Sequence, residues 1–198
     1  SGGDDTTTAA ETVGYQYPDK DYGGREFTVM NYDSMWDCVM ALDFAEQNGD
    51  RLDDAIYNRN RKVEEKLGFR MNEVTQHYIG WFEAGNSTDL LMNNIMAGDD
   101  TYDAAYIPVT FKPAVVTEGY LYDLYKLPGM NLTEDWWDQV MVDTLTINGQ
   151  LYAVTSPLHL MSLDMSWVML FNQDMMDERN MEYPYQLVRD GKWTLDKW

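Results

Sequence analysis

The apolar positions change their period along the chain, and those changes mark out elements. Glu26 to Asn31 reads Glu-Phe-Thr-Val-Met-Asn after a Gly-Gly pair, a short apolar run that predicts a strand. From Arg51 to Leu67 the apolar residues Leu52, Ile56, Val63 and Leu67 fall at helical spacing, and Gly68 follows as a stop. Phe69 to Gln76 predicts a second strand. Ser87 or Thr88 then caps a helix that carries Leu90, Leu91, Ile95 and Met96 and ends at Gly98, and Tyr102 to Ile107 predicts a third strand.

Strand, helix, strand, helix, strand, with a glycine-terminated helix in each crossover, is the pattern of a parallel, helix-covered sheet, so the expected fold class is α/β. Further along, Pro113 to Gly119 predicts a short helix and Leu121 to Leu124 an apolar segment. Thr133 to Val142 predicts a helix with Glu134 and Asp135 in its first turn, where the helix dipole favours negative charge. Asn148-Gly149 stands between Thr144–Ile147 and Leu151–Val154, the signal of a hairpin with a type I′ turn, whose central residues both take positive φ. Trp167 to Phe171 then reads as an apolar strand and Asn172-Gln173-Asp174 as a helix start. Thr194 is a good cap, yet only Leu195 to Trp198 follow it, and one helical turn fixes many dihedrals for few hydrogen bonds, so this last element reads as cut short.

The order of the Asn148-Gly149-Gln150-Leu151-Tyr152 hairpin, the crossing strand, the Asn172-Gln173-Asp174 start and the Trp193-Thr194 start resembles the family 1 extracellular solute-binding proteins of bacterial ABC importers. The resemblance implies a lobe one of the type II periplasmic-binding-protein kind, with a mainly parallel, helix-covered sheet, followed by the truncated start of lobe two. In that frame, residues 1–22 are a flexible tether and loose wrap, 23–155 are lobe one, and 156–198 are the crossing strand and the incomplete start of lobe two. The implied function is capture of a small solute, above all a carbohydrate, outside the cell and its delivery to an ABC permease. The Ser, Gly, Asp, Thr and Ala composition of Ser1 to Glu11 suits a solvated tether, which in this family follows a lipid-modified cysteine. That cysteine is not in this chain, so a membrane link runs only through an anchor outside it. The stretch Thr155 to Ser166 is longer than its family counterpart, which leaves the alignment of Asp164 and Trp167 open by a residue or two.

Composition narrows the partners. The 34 acidic against 14 basic residues give a formal charge of -20, which repels phosphate backbones and anionic membrane surfaces, so nucleic acid is excluded as a partner. Cys38 is the one cysteine, so no intrachain disulfide forms, an observation neutral about compartment. No apolar run approaches the roughly 20 residues of a membrane span. His77 and His159 are the two histidines and neither lies in a zinc motif. Neither a nucleophile elbow nor a phosphate loop is present, so no catalytic residue, metal or cofactor is expected.

Open parallel sheets bind ligands at the carboxyl ends of their strands, which nominates particular loops. Tyr32, Asp33 and Trp36 follow the first strand, Thr110 and Phe111 follow the third, and Ser156, His159, Asp164 and Trp167 lie on the crossing segment. Aromatic rings beside polar groups suit a sugar, whose C–H faces pack on rings while its hydroxyls need hydrogen bonds. Each candidate has a rival role: Trp36 in packing, Asp33 in capping the next segment, Asp164 and Trp167 in seating the crossing strand. Trp81-Phe82 reads as a hydrophobic lid, and Trp136-Trp137, on a helix, point about 100° apart so that one indole packs inward. The methionines read as adaptable core filler, and acid pairs such as Asp99-Asp100 as solvated faces. Asn86-Ser87-Thr88 reads as a helix cap and Asn131-Leu132-Thr133 as a turn. Two other classes stay open: a surface interaction module without a small ligand, and a carbohydrate hydrolase, which needs two carboxylates facing one cleft roughly 5–10 Å apart.

Overall fold

The computed structural model describes residues 17–33, 41–77, 86–108, 113–164, 166 and 168–197. Trp36, Trp81, Phe82, Thr110, Phe111 and Trp167 lie outside the described residues. The chain forms two compact units, Ser1–Asp164 and Met165–Trp198, so residues 156–164 belong with the first.

The first unit is built on a parallel sheet of order β2-β1-β3, with β1 at Arg25–Tyr32, β2 at Phe69–Gln76 and β3 at Ala104–Ala105. Helices α1 (Arg51–Leu67) and α2 (Asn86–Ala97) make the crossovers, as the pattern of apolar runs and glycine stops predicts. Arg25 pairs with Phe69 and the register holds to Tyr32 and Gln76, while Val29 and Met30 pair with Ala104 and Ala105. The third strand is shorter than the expected Tyr102–Ile107. The Asp103 N–H still reaches the Thr28 carbonyl (2.9 Å) and the Tyr106 N–H the Met30 carbonyl (2.8 Å). However, the Thr28 N–H, which a longer ladder would use, is already taken by the Asp103 carboxylate at 2.9 Å.

Helix α1 starts where Asp50 accepts from the N–H groups of Leu52 (2.8 Å) and Asp53 (3.2 Å), and it stops at Gly68, whose φ of 64° suits a residue without a Cβ. Its apolar spacing marks it as a helix, yet its buried face is Ile56, Asn60 and Glu64. Glu64 is 1% exposed; it accepts from the Met71 N–H at 2.6 Å and pairs with Arg61 at 3.0 Å and Arg70 at 3.3 Å. A charge can be buried there because hydrogen bonds and ion pairs replace its water. Helix α2 begins one residue before the expected cap, so Ser87 and Thr88 lie inside its first turn, fully buried. Leu91 of α2 packs with Met30 of β1 and Val115 of α3 (Ala114–Thr117), flanked by Met92, Tyr102, Ile107 and Tyr120.

A second core joins Leu132, Val142 and Leu151, with Leu124, Met130, Trp137 and Val154 around them. Here the expected helix Thr133–Val142 is displaced: α4 runs over Gln139–Leu145, capped by Asp138, whose carboxylate accepts from the Met141 N–H at 3.1 Å. Asn131 sets the residues before it in a turn by accepting from the N–H (3.3 Å) and hydroxyl (2.8 Å) of Thr133, the turn read from its sequence. Glu134 and Asp135 therefore precede the helix, and neither tryptophan is on it; Trp137 packs into the second core while Trp136 is half exposed. Asn148 (φ 52°) and Gly149 (φ 76°) make the expected tight turn, with Ile147 and Gln150 exchanging bonds of 2.9 and 3.0 Å. No flanking strands form, because α4 takes one side to Leu145 and Leu151 is bound elsewhere. Its N–H donates to the Asp123 carboxylate (3.2 Å) and its carbonyl accepts from the Leu124 N–H (2.7 Å). Burial acts to raise the Asp123 pKa, but the bonds from Leu151, Lys126 and Tyr125 outweigh it and hold the carboxyl below its ordinary value.

Helix α5 (Met161–Asp164) ends the first unit. In the second, Val168 to Phe171 is irregular rather than a strand, and among the described residues of this unit there is no strand for it to pair with. Asn172 caps α6 (Gln173–Glu178) by accepting from Met175 at 3.0 Å, as expected, and Pro184 opens α7 (Pro184–Arg189). Phe171 packs against Tyr183 (5.9 Å) and Tyr185 (5.4 Å). At Thr194 a single turn forms, with the Lys197 N–H on the Thr194 carbonyl at 3.0 Å.

Two stability predictions follow from the buried carboxylates. Glu64→Ala leaves the Met71 N–H without its acceptor and removes one ion pair each from Arg70 and from Arg61, which keeps Asp43, and chemical denaturation should show a loss of about 2–3 kcal/mol. The unfolded chain protonates Asp123 at higher pH than the folded one, so its contribution is complete above about pH 3.8 and fades as pH falls through the lowered folded value. Asp123→Asn should therefore melt below the parent at pH 7, with the gap narrowing towards pH 3.

Candidate functional site

The parallel register brings the carboxyl ends of all three strands together, and the chain returns to them with residues 156–161. Tyr32, the last residue of β1, points its hydroxyl at the Met161 sulfur, 3.7 Å away. Tyr106, just past β3, stacks on His159 with ring centroids 5.0 Å apart and planes 22° from parallel. The Tyr106 hydroxyl is hydrogen-bonded to the Ser156 side chain, and Ser156 Oγ accepts from the Leu158 N–H at 3.1 Å. Arg59 of α1 fastens this segment from below, donating to the carbonyls of Leu158 (3.3 Å) and Leu42 (3.0 Å) and to Asn60 Oδ1 (2.9 Å).

Glu73 of β2 organises the neighbouring loop. One carboxylate oxygen accepts from the N–H groups of Leu42 (2.8 Å) and Asp43 (2.9 Å), the other from Asn31 Nδ2 (2.6 Å) and Thr75 Oγ1 (3.1 Å). Asp43 is held in turn by Arg61 (2.7 Å) and Asn60 (2.8 Å). Asp33, whose N–H extends the ladder to the Gln76 carbonyl (3.0 Å), pairs its carboxylate with the exposed His77 ring.

The charges at this end are committed and the open polar groups are neutral. Burial raises the Tyr106 pKa against the opposing effects of Ser156 and Arg59, so its phenol stays protonated. Burial lowers that of Arg59, with Tyr106 and Asp43 opposing. Burial also lowers His159 from its ordinary 6.5, with Glu73 opposing, so the imidazole is neutral at pH 7. Tyr32 and Ser156 bring hydroxyls to this end beside the ring of Tyr106, chemistry suited to hydrogen-bonding an uncharged polar molecule, while His159 is buried beneath that ring. The acid pair a hydrolase needs does not include Glu73, both of whose oxygens are used by protein groups. Among the described residues, no group of three or more His, Cys, Asp or Glu side chains could hold a metal ion.

Of the nine residues nominated from sequence, the structure brings Tyr32, Ser156 and His159 together at the returning segment and places Asp33 beside Tyr32. Trp36, Thr110, Phe111 and Trp167 fall outside the described residues, and Asp164 is described only as the last residue of α5. Sequence reasoning missed Tyr106 and Arg59. Tyr106 counted as strand interior because the third strand was expected to reach Ile107; the strand-end rule finds it once the strand stops at Ala105. Arg59 carried no signal, being one cation on a charged helix.

No family model matches the chain. Over 109 residues it is 32% identical to a carbohydrate ABC transporter substrate-binding protein of Streptococcus pneumoniae serotype 4, a stretch that is 53% of this chain and 20% of that protein. The chain thus spans about a fifth of the length of that relative. No helix among the described residues is long and apolar enough to cross a membrane.

The Tyr106 contacts can be separated by mutation. Tyr106→Phe keeps the stack and loses the bond to Ser156, and should cost about 0.5–1.5 kcal/mol in urea unfolding. Tyr106→Ala loses both and should cost about 3 kcal/mol or more.

Proposed function

We propose that this chain is part of an extracytoplasmic solute-binding protein of an ABC importer, with the first unit acting as lobe one of a type II periplasmic-binding-protein-like fold. The observation that carries the reading is the cluster of Tyr32, Tyr106, Ser156 and His159, neutral polar groups and rings gathered at the carboxyl ends of parallel strands. The printed name of the Streptococcus relative supports the same class. The solute is a carbohydrate, bound between this lobe and a second one, with Asp33, Trp36, Thr110, Phe111 and Asp164 as the further ligand-binding residues of this lobe and Trp167 as a ligand-binding residue of the crossing segment. Closure follows from contacts that only the joined lobes make, since a ligand shifts a conformational equilibrium by its differential affinity for the two states. The closed form then presents the solute to a membrane permease, and a lipid anchor ahead of the tether keeps the protein at the cell surface. The role is binding and delivery, without bond breaking.

Calorimetric titration of the whole protein with a panel of mono- and oligosaccharides tests this reading. One class should bind, and Asp33→Ala and Trp36→Ala should each weaken it about five- to a hundred-fold, roughly 1–3 kcal/mol, with the unliganded melting temperature nearly unchanged. Absence of saccharide binding overturns the carbohydrate reading. Unchanged affinity with a stability loss of about 3–5 kcal/mol for Trp36→Ala assigns that residue to the core.

A further inference from the structure

We propose that residues Ser156–Met161 form a pH-sensitive clasp, docked on the carboxyl end of the sheet while His159 is neutral and released when it is protonated. The His159 ring is 9% exposed, and its Nε2 is sealed from solvent with no hydrogen-bond partner. A neutral imidazole tolerates this by keeping its proton on Nδ1 and leaving a lone pair at Nε2. The imidazolium carries an N–H on both nitrogens, so its Nε2 would have a donor with nothing to receive it, and a charge in a low-dielectric site.

The surroundings give the cation little in return. After β3, Tyr106 lies flat on the ring as a neutral phenol already bonded to Ser156. From α1, Arg59 sets a fixed positive charge on the carbonyl of Leu158, the preceding residue. From β2, Glu73 is the anion that favours protonation, but its oxygens are taken by Asn31, Thr75 and the N–H groups of Leu42 and Asp43. Asp43, in the loop before α1, is held by Arg61 and Asn60, and Tyr32 of β1 brings only a neutral hydroxyl to Met161. Burial therefore prevails, and the docked ring has a pKa below 6.5.

The sign follows from linkage. The released ring takes up its proton near 6.5 and the docked ring only at lower pH, so acid favours release. Docking is at full strength above about pH 6.5 and weakens as pH falls below it, until the docked ring titrates too. The numerous carboxylates ordinarily protonate near pH 4, so histidine chemistry governs the interval from about 6.5 to 5.

The test uses the unmodified chain without solute, so its outcome is independent of which ligand, if any, binds. The two imidazoles are followed by NMR across pH 5–8, assigned with His77→Gln, and amide hydrogen exchange is measured in parallel and corrected for its intrinsic pH dependence. The expected result is a His159 midpoint below 6.5, together with a two- to tenfold fall in protection at the His159 and Leu163 amides between pH 7 and 5.5. Protection at Leu91 and Val142 should hold over the same range. A His159 midpoint at or above 6.5, or unchanged protection of the segment, overturns the proposal. So does the same pH response in His159→Gln.

Discussion

A backbone N–H that leaves water needs an acceptor, and in this chain carboxylates supply it where the main chain does not. Glu64 accepts from Met71 where α1 meets β2, Glu73 takes the N–H groups of Leu42 and Asp43, and Asp123 takes that of Leu151. The last two join segments about 30 residues apart, while Glu64 ties a helix to the strand that follows it. An anionic acceptor makes a stronger bond than a neutral one, and each of these also meets a cation or an amide, which offsets the cost of removing it from water. The high acidity of the chain thus has two parts: most carboxylates lie on solvated faces and repel anions, while a few hold loops to the sheet.

Those attachments determine what stands at the end of the sheet. β1 is central, paired on both sides, with Val29, Met30 and Asn31 buried as the strand runs out. Met30 anchors the apolar side against α2 and α3, while Asn31 faces the Glu73 system. Two packing chemistries on one strand leave Tyr32 and Asp33 where the ladder ends, and Arg59 and Tyr106 bring the segment of Ser156 and His159 over them. The His159 nitrogen is a buried side-chain atom without a partner, and it sits on a titratable ring.

Much of this was legible in the residues. The helix α1 and the strand β2 match their expected limits because Gly68 separates them, and the parallel sheet follows from the alternation of runs. Elements with weaker boundaries moved. Thr133 looked like the start of a helix, but Asn131 uses it in a turn and Asp138 caps the helix instead. Asn148-Gly149 turned as expected while its strands did not form, since a turn is a local property and a ladder needs a partner along its whole length. The candidate site was legible as a set of strand-end loops, through Tyr32, Asp33 and His159, but not as a constellation.

The chain by itself determined its α/β class, the parallel order of runs and helices, the turns at Gly68 and Asn148-Gly149, and a surface that repels polyanions, because each rests on local sterics, hydrogen-bond geometry or summed charge. Only the tertiary structure decided that Tyr106 lies on His159, that Glu73 gathers Leu42 and Asp43, and that Arg59 ties α1 to Leu158. Such pairings join residues as far apart as Arg59 and Leu158, and no periodicity encodes which of many similar side chains meet when loops are drawn to the same end of a sheet.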